Sequence, residues 1–250
     1  MNKLKYISIA TVLIFAACTD DSSTGLHEPT DVAANYLNPD YSYGEMTDTR
    51  DGQTYKTTVI GSQTWMAQNL NYETANSHCY RKDADSCAKY GRLYKWADAM
   101  TACPGGWHLP DTTEWNILLD EVGGKDSAVV QLISRNGWSR SEYALGVLDS
   151  MLDDINPEGK SNLPQGWGGT DPYGFSALPA GFRTESDVFT TASGMAVFWT
   201  STETTWDYVN YVTLETFVNA HTIELPLLGY YVYNVFESKN GESSVRCVKD

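Results

Sequence analysis

The chain has 250 residues, of which 42% are hydrophobic, 12% aromatic and 20% charged, a profile typical of a folded globular protein and not of a disordered one. Seventeen Lys and Arg residues stand against 32 Asp and Glu residues, which gives a net charge of −15. This charge repels phosphate backbones and anionic headgroups, so we expect no nucleic acid partner.

The first 18 residues follow the pattern of a bacterial secretion signal. Lys3 and Lys5 precede a mostly apolar run over residues 6–17, which is shorter than the roughly 20 residues that span a membrane. Small residues then lead into Cys18, an arrangement that resembles the lipobox of bacterial lipoproteins. The resemblance implies a signal peptide over residues 1–17 and lipidation of Cys18.

The residues after Cys18 indicate where the lipoprotein would go. Thr19 stands where an aspartate would resemble an inner-membrane retention signal, so the outer membrane is favoured. Asp20 and Asp21 resemble the surface-export signal of some Gram-negative lipoproteins, which favours the cell surface, with a periplasm-facing orientation as the alternative. Several acyl chains on one residue anchor a protein stably, so the expected partner is a membrane, bound through the lipid.

Residues 18–50 are rich in Asp, Ser, Thr, Asn and Pro and have no apolar period, which predicts a lipidated N-terminus followed by a flexible acidic tether. We place a single globular domain at residues 51–250. The alternative is an N-terminal strand that docks on this domain through its apolar side chains: Tyr36, Leu37, Tyr41 and Tyr43.

Four cysteines follow Cys18, an even number that suits an oxidising compartment and permits three pairings. We predict one disulfide between Cys79 and Cys87 and another between Cys103 and Cys247. Loop entropy predicts a stabilisation of about 5 kcal/mol for the long bridge and about 2 to 3 kcal/mol for the short one. A zinc site is not expected, because the chain has no Cys-x2-Cys pair.

Hydrophobic patterning predicts an α+β domain. It opens with a β-hairpin, in which residues 54–60 and 63–70 are β-rich and flank Gly61-Ser62. Two main amphipathic helices and two weaker ones are predicted at residues 93–103, 111–122, 126–135 and 142–152. Residues 156–181 hold four prolines and several glycines, which predicts long loops. Strands of an antiparallel sheet are predicted at residues 197–202, 208–213, 230–236 and 244–248.

Six motifs occur in order along the chain: GSQTWMAQNL (61–70), YGRLY (90–94), CPGGWHLP (103–110), GFSALPAGFR (174–183), FWTSTE (198–203) and SVRCVKD (244–250). Together they resemble the Fibrobacter succinogenes major paralogous domain, over about residues 51–250. That family occurs on secreted and lipid-anchored bacterial surface proteins and has no established biochemical activity, so the resemblance implies a location more than a reaction.

The same motifs resemble the C-type lectin fold more distantly. In that fold a helix ends in a cysteine, a Gly-rich and Leu-Pro step leads into a second helix, and a late Trp strand precedes a terminal cysteine. The corresponding positions are Cys103, Gly105, Leu109, Glu114, Trp199 and Cys247. The resemblance implies a C-type-lectin-like single domain stapled by disulfides, and it supports the long disulfide. Formylglycine-generating enzymes share the fold and resemble residues 106–115 and 246–247.

The sequence lacks the motifs of the chemistry that these relatives perform. The Glu-Pro-Asn, Gln-Pro-Asp and Trp-Asn-Asp strings of calcium-dependent sugar binding are absent. A formylglycine-generating enzyme needs a reactive cysteine pair, and the predicted disulfides leave no thiol for it. We therefore expect no catalytic residue, no metal and no cofactor, with a cryptic enzyme of this fold as a remote alternative. His108 is predicted to be structural.

The aromatic residues are the remaining candidates for ligand contact, because a flat exposed ring suits the face of a sugar. Trp107, Trp115 and Trp199 are predicted to be buried. The candidate contacts lie near Gly-rich or polar loops: Trp138, Trp167, Asp171, Tyr173, Trp206 and Tyr208. We expect a non-catalytic cell-surface lipoprotein that binds or adheres to neutral polysaccharide or another surface ligand. The alternative is a structural or protein-interaction scaffold of the envelope.

Overall fold

The computed structural model describes residues 32–139, 168–209, 214–226 and 232–250, except for the side chains of residues 206–217. Within these ranges the chain forms the helices α1 (Ala84–Tyr90), α2 (Trp96–Ala102), α3 (Thr112–Glu121) and α4 (Lys125–Leu132). Short 3-10 helices cover Val32–Tyr36 and Tyr80–Lys82. None of the described helices is long and apolar enough to cross a lipid bilayer.

The strands of the described residues, in chain order, are β1 (Gly44–Thr47), β2 (Thr54–Ile60), β3 (Gln63–Met66), β4 (Ser77–His78), β5 (Leu93–Lys95), β6 (Trp107–His108), β7 (Phe182–Arg183), β8 (Phe189–Thr190), β9 (Met195–Val209), β10 (Leu214–Pro226), β11 (Tyr233–Ser238), β12 (Glu242–Ser244) and β13 (Val248–Lys249). Nearly all pair antiparallel, so the α+β class is confirmed.

The predicted hairpin forms the middle of a smaller sheet with the order β1-β2-β3-β13-β6. The hairpin turns at Gly61, whose φ of +58° lies in the left-handed region that glycine adopts at no steric cost. In β13, Val248 pairs with Trp65 on one side and with His108 on the other. The last described strand is therefore inserted between two strands that precede it by more than a hundred residues.

The larger sheet has the order β11-β10-β9-β12-β5-β4, and β7 and β8 extend from β12. Its longest strands are β9, with 15 residues, and β10, with 13, which pair antiparallel with a register shift between Ala220 and Thr222. The strand β12 joins the sheet between β9 and β5, parallel to the first and antiparallel to the second. This junction brings side chains of β7, β11 and β12 close together.

The main core is formed by residues of the smaller sheet, of helices α3 and α4 and of strands β9 and β10. Helix α3 begins at a capping box, in which Asp111 and Glu114 each accept a backbone N–H, as the sequence predicts. Its apolar face buries Trp115, whose ring lies 4.8 Å from that of Trp65. Each such fully buried side chain contributes about 1.5 to 3 kcal/mol of hydrophobic stabilisation. Trp115 and Trp199 are buried as predicted, whereas Trp107 is half-buried.

Both predicted disulfides are confirmed. Cys79 and Cys87 close a short loop at the start of α1, with their Cα atoms 4.8 Å apart. Cys103, directly after α2, pairs with Cys247, directly before β13, over a sequence separation of 144 residues. The long bridge therefore joins α2 to the strand inserted in the smaller sheet.

The folded unit begins earlier than predicted, because residues 32–50 are not a tether. Strand β1 pairs with β2 along its whole length. The Asn38 side chain donates a hydrogen bond to the carbonyl of Asp171 (2.8 Å), and the Tyr43 hydroxyl lies 3.0 Å from that of Ser176. The docked-strand alternative is therefore correct for these residues, whereas Cys18 and the predicted signal peptide lie outside the described residues.

Several other element boundaries differ from the prediction. The helix predicted from residue 93 starts at Trp96, because Leu93 and Tyr94 are buried in a strand paired with β12. Helix α1 and strand β10 were not predicted, and the predicted stretch 244–248 is divided between β12 and β13. The helix predicted at residues 142–152 lies outside the described residues. The boundaries that differ are those set by contacts between distant segments.

The two disulfides should contribute unequally to stability. Replacing both Cys103 and Cys247 with Ala should lower the free energy of unfolding by about 5 kcal/mol, because the closed loop is long. Replacing both Cys79 and Cys87 should lower it by about 2 to 3 kcal/mol. Urea unfolding of the two double variants, each compared with the wild type, measures the difference. Equal losses would contradict the loop-entropy argument.

Candidate functional site

The polar centre of the domain is Arg246, which is 1% exposed. Its Nε and Nη2 donate to Asn69 Oδ1 at 3.1 and 2.9 Å, and its Nη1 donates to the carbonyl of Phe175. The guanidinium also lies over the Phe175 ring, 4.3 Å from its centroid. Burial lowers the pKa of Arg246 to about 9, against the opposing attraction of Asp171. The side chain is a structural group, and no solvent reaches it.

Asp171 lies beside this centre and is also fully buried. Its carboxylate accepts hydrogen bonds from the backbone N–H of Ser176 (2.9 Å) and from the Ser176 hydroxyl (2.5 Å). Burial raises the pKa of Asp171 to about 6, although these hydrogen bonds and Arg246 oppose the rise. The side chain of Asp171, a predicted ligand contact, is therefore buried, and its carboxylate holds the 171–176 loop.

Trp138 is buried as well, with 2% of its surface exposed. Its indole N–H donates to Ser134 Oγ (3.0 Å) and to the carbonyl of Ala177 (3.2 Å), so it cannot serve as an exposed sugar platform. Tyr173 is half-buried and packs against the main core. The other candidates are not brought together in the described structure: Trp167 lies outside the described residues, and so do the side chains of Trp206 and Tyr208.

His108 connects β6 to α3 and to the last residue of the chain. Its Nε2 lies 2.8 Å from Glu114 Oε1, and its Nδ1 lies 2.7 Å from Asp250 Oδ1. Burial alone would lower the pKa of His108, but the hydrogen bonds to Asp250 and Glu114 outweigh it and raise the pKa. Both ring nitrogens are occupied, which agrees with the predicted structural role.

An open cleft with a volume of about 140 Å³ lies on the larger sheet, where β7 and β12 meet the end of β11. We call it the β7–β12 cleft. Its walls are formed by Phe182, Arg183, Thr184, Glu185, Trp199, Glu237, Ser238, Gly241, Glu242 and Ser243. No sequence pattern indicates this cleft beyond the motif that contains Arg183, because its walls come from four separate strands.

Arg183 and Glu242 form a buried ion pair at this cleft, 7% and 1% exposed. The second guanidinium nitrogen of Arg183 binds Asp187 Oδ1 at 2.5 Å. His78, in β4, lies 2.9 Å from Glu242 Oε1. The Nε–H of Arg183 is buried and has no hydrogen-bond partner among the described residues. The ion pairs therefore hold the guanidinium in place but leave one donor unused.

The acidic wall of the cleft continues along β11 and β10. Burial raises the pKa of Glu237, and the neighbouring charge of Glu185 raises it further. Burial, followed by the charge of Glu237, raises the pKa of Glu224 to about 7. Within the described residues, no cluster of His, Cys, Asp or Glu is arranged to hold a metal ion.

One comparison with known proteins gives a result. The family model described as the Fibrobacter succinogenes major domain matches residues 59–249. No curated protein and no solved structure matches the chain.

The Arg246 centre predicts a strong effect at Asn69. Asn69→Ala should lower the free energy of unfolding by about 3 kcal/mol or more, because two hydrogen bonds to a buried charged group are lost. Asn71→Ala is the matched control, since its Oδ1 has no hydrogen-bond partner among the described residues. Urea unfolding measures both. If Asn69→Ala lowers the free energy of unfolding no more than Asn71→Ala does, the hydrogen bonds to Arg246 contribute little to stability.

His108 should make stability depend on pH. Because its pKa is higher in the folded state than in the unfolded state, its contribution is fully present below pH ~6.5 and is lost as the pH rises through the folded-state pKa. The stability difference between the wild type and His108→Gln should therefore shrink as the pH is raised. Urea unfolding across neutral pH measures it, with His221→Gln as the control. A difference independent of pH would contradict the assignment.

Proposed function

This chain belongs to the Fibrobacter succinogenes major domain family, and we propose that it is a non-catalytic binding module carried on the bacterial cell surface. The observation that carries this proposal is the burial of the motif side chains. Trp65, Asn69, Phe175, Trp199 and Arg246 come from four of the six motifs, and all five are buried. A catalytic motif presents its reactive groups to substrate, whereas these residues support the fold.

The cysteines support binding over catalysis. All four cysteines of the described residues are paired in disulfides. A formylglycine-generating reaction requires a reactive cysteine pair, and a disulfide-bonded sulfur is not a thiolate nucleophile. The enzyme alternative therefore has little support from the geometry.

We place the module on the outer membrane through a lipidated Cys18. The support is the sequence of residues 1–21, with its charged start, apolar run and small residues before the cysteine. The folded unit begins at about residue 32, so residues 19–31 would join the lipid to the domain. In this arrangement the β7–β12 cleft would be available to ligands outside the membrane.

Neutral polysaccharide is the ligand class that we propose. The net charge of −15 disfavours anionic polymers, and the acidic cleft wall disfavours them locally. Trp167, Trp206 and Tyr208 stay candidate contacts on sequence grounds alone. A protein-interaction scaffold is the second candidate.

A pull-down separates the two candidates. The purified full-length protein in detergent should be retained by insoluble cellulose, xylan or peptidoglycan above an albumin control, with or without calcium. If ring stacking contributes, Trp167→Ala or Trp206→Ala should reduce retention, because stacking contributes on the order of 1 kcal/mol per ring. Met100→Ala, an exposed apolar residue on α2, is the matched control. No retention of a folded protein with both disulfides formed would favour the scaffold.

A further inference from the structure

We propose that the peptide bond between Asp171 and Pro172 is a site of self-cleavage, at which the Asp171 carboxyl group attacks its own backbone carbonyl and releases Pro172 as a new N-terminus. The reaction would occur once in each chain, so it goes beyond the proposed binding function and does not rest on it. Three features support it: the chemistry of the bond, the backbone conformation of Asp171, and the hydrogen bonds to the carbonyl oxygen that is attacked.

The two residues of this bond supply a nucleophile and a leaving group. Proteins use aspartate carboxyl groups as nucleophiles that form covalent intermediates. The aspartate side chain can close a cyclic anhydride on its own carbonyl carbon. Pro172 contributes no N–H to the bond, so it leaves as a secondary amine, which takes up a proton readily. The sequence contains no other Asp-Pro pair, so the chemistry is specific to this position.

Asp171 is held in an unfavourable backbone conformation directly before the proline. Its φ of +48° lies in the left-handed region, which is strained for a residue that carries a Cβ atom. A residue that precedes proline is also restricted to extended conformations, because its backbone meets the proline ring. Cleavage removes both restrictions, so the strain at Asp171 favours the reaction.

The backbone carbonyl oxygen of Asp171 accepts two hydrogen bonds. The Asn38 side-chain amide donates to it at 2.8 Å, and the backbone N–H of Gly174 donates to it at 3.2 Å. Asn38 is 4% exposed, so its hydrogen bond is shielded from water. Paired donors of this kind stabilise the negative charge that develops on a carbonyl oxygen when a nucleophile attacks its carbon. The docked N-terminal segment therefore supplies a catalytic group, Asn38.

The carboxyl group of Asp171 is held in place and is easily protonated. Its two oxygens accept hydrogen bonds from the backbone N–H and the hydroxyl of Ser176, which fix the side chain. Burial raises its pKa to about 6, although Ser176, Arg246 and Arg135 oppose the rise. Tyr43, whose hydroxyl lies 3.0 Å from Ser176 Oγ, is a further titratable group beside it. A protonated carboxyl group carries the proton that the leaving nitrogen needs.

The reaction has two steps and consumes one water molecule. In the first step a carboxyl oxygen of Asp171 bonds to the carbonyl carbon, the bond from this carbon to the Pro172 nitrogen breaks, and the carboxyl proton passes to that nitrogen. In the second step water opens the cyclic anhydride and leaves two carboxyl groups on Asp171. Thr170 and Pro172, on either side of Asp171, are exposed, so water can reach the anhydride.

The two fragments would stay together after cleavage. Cys103 and Cys247 lie on opposite sides of the bond, so their disulfide joins the fragments. Strand β12, in the second fragment, also pairs with β5, in the first. Cleavage would therefore be invisible on a non-reducing gel and would appear on a reducing one.

The test incubates the full-length protein in detergent at pH values below and above the pKa of Asp171 and follows it on both kinds of gel. Two fragments should appear after reduction only, and Pro172 should be the N-terminal residue of the smaller one. The cleavage rate should fall about tenfold for each pH unit above this pKa, because the carboxyl group loses its proton. The native protein should cleave at least about tenfold faster than the chain unfolded in urea, which lacks the two hydrogen bonds to the carbonyl.

Two variants test the contributions of single residues. Asn38→Ala should slow cleavage about 100-fold, the loss of one donor to the attacked carbonyl. Asn71→Ala is the matched control and should leave the rate unchanged, since Asn71 Oδ1 has no hydrogen-bond partner among the described residues. Pro172→Ala, at an exposed position where no packing is lost, should slow cleavage because it removes the restriction on Asp171.

Three results would overturn the inference. The first is a folded wild-type chain that stays intact across the pH range. The second is cleavage at the same rate in the native and the urea-unfolded protein, because the bond would then break without help from the fold. The third is an equal rate for Asn38→Ala, Asn71→Ala and the wild type, because the hydrogen bonds to the carbonyl would then have no role.

Discussion

The fold depends on satisfying one buried positive charge. No carboxylate of the described residues is in direct contact with Arg246, so the cost of burying its guanidinium is offset by Asn69, by the carbonyls of Phe175 and Ser176, and by an aromatic face. Together with Arg246 itself, these groups come from three distant segments. Because an unsatisfied buried charge costs far more than any one of these contacts gains, only the arrangement that brings all three segments together is stable.

The same centre accounts for the docking of the N-terminal segment. Ser176 binds Arg246 through its carbonyl, and its hydroxyl lies within hydrogen-bond distance of Asp171 and Tyr43. Asn38 then binds the backbone of Asp171. Residues 32–50 are therefore held by polar contacts that extend outward from the interior, together with Tyr36 and Met46, which pack against apolar clusters of the domain. The polar composition of this segment predicts a tether because composition does not show these long-range contacts.

Structural features that depend on neighbouring residues could be predicted from the sequence. Features that depend on contacts between distant segments could not. The hairpin at Gly61 and the capping box at Asp111 are determined by neighbouring residues, and the structure has both. Strand β10 has no clear apolar alternation and is formed through its pairing with β9 and β11. The cleft also depends on contacts between distant segments. No sequence pattern links Arg183 to Glu237, and only the strand order of the sheet places them in one wall.

The smaller sheet is complete only when β13 has paired with its two neighbouring strands. It lies between β3 and β6, directly after the cysteine of the long disulfide, and Asp250 beyond it binds His108. Until β13 is in place, β3 and β6 each have an unpaired edge, which is the surface through which strands of different chains associate. Closure of so long a loop is intrinsically slow. The edges of β3 and β6 in a newly made chain are thus open to association with other chains until β13 has paired with them.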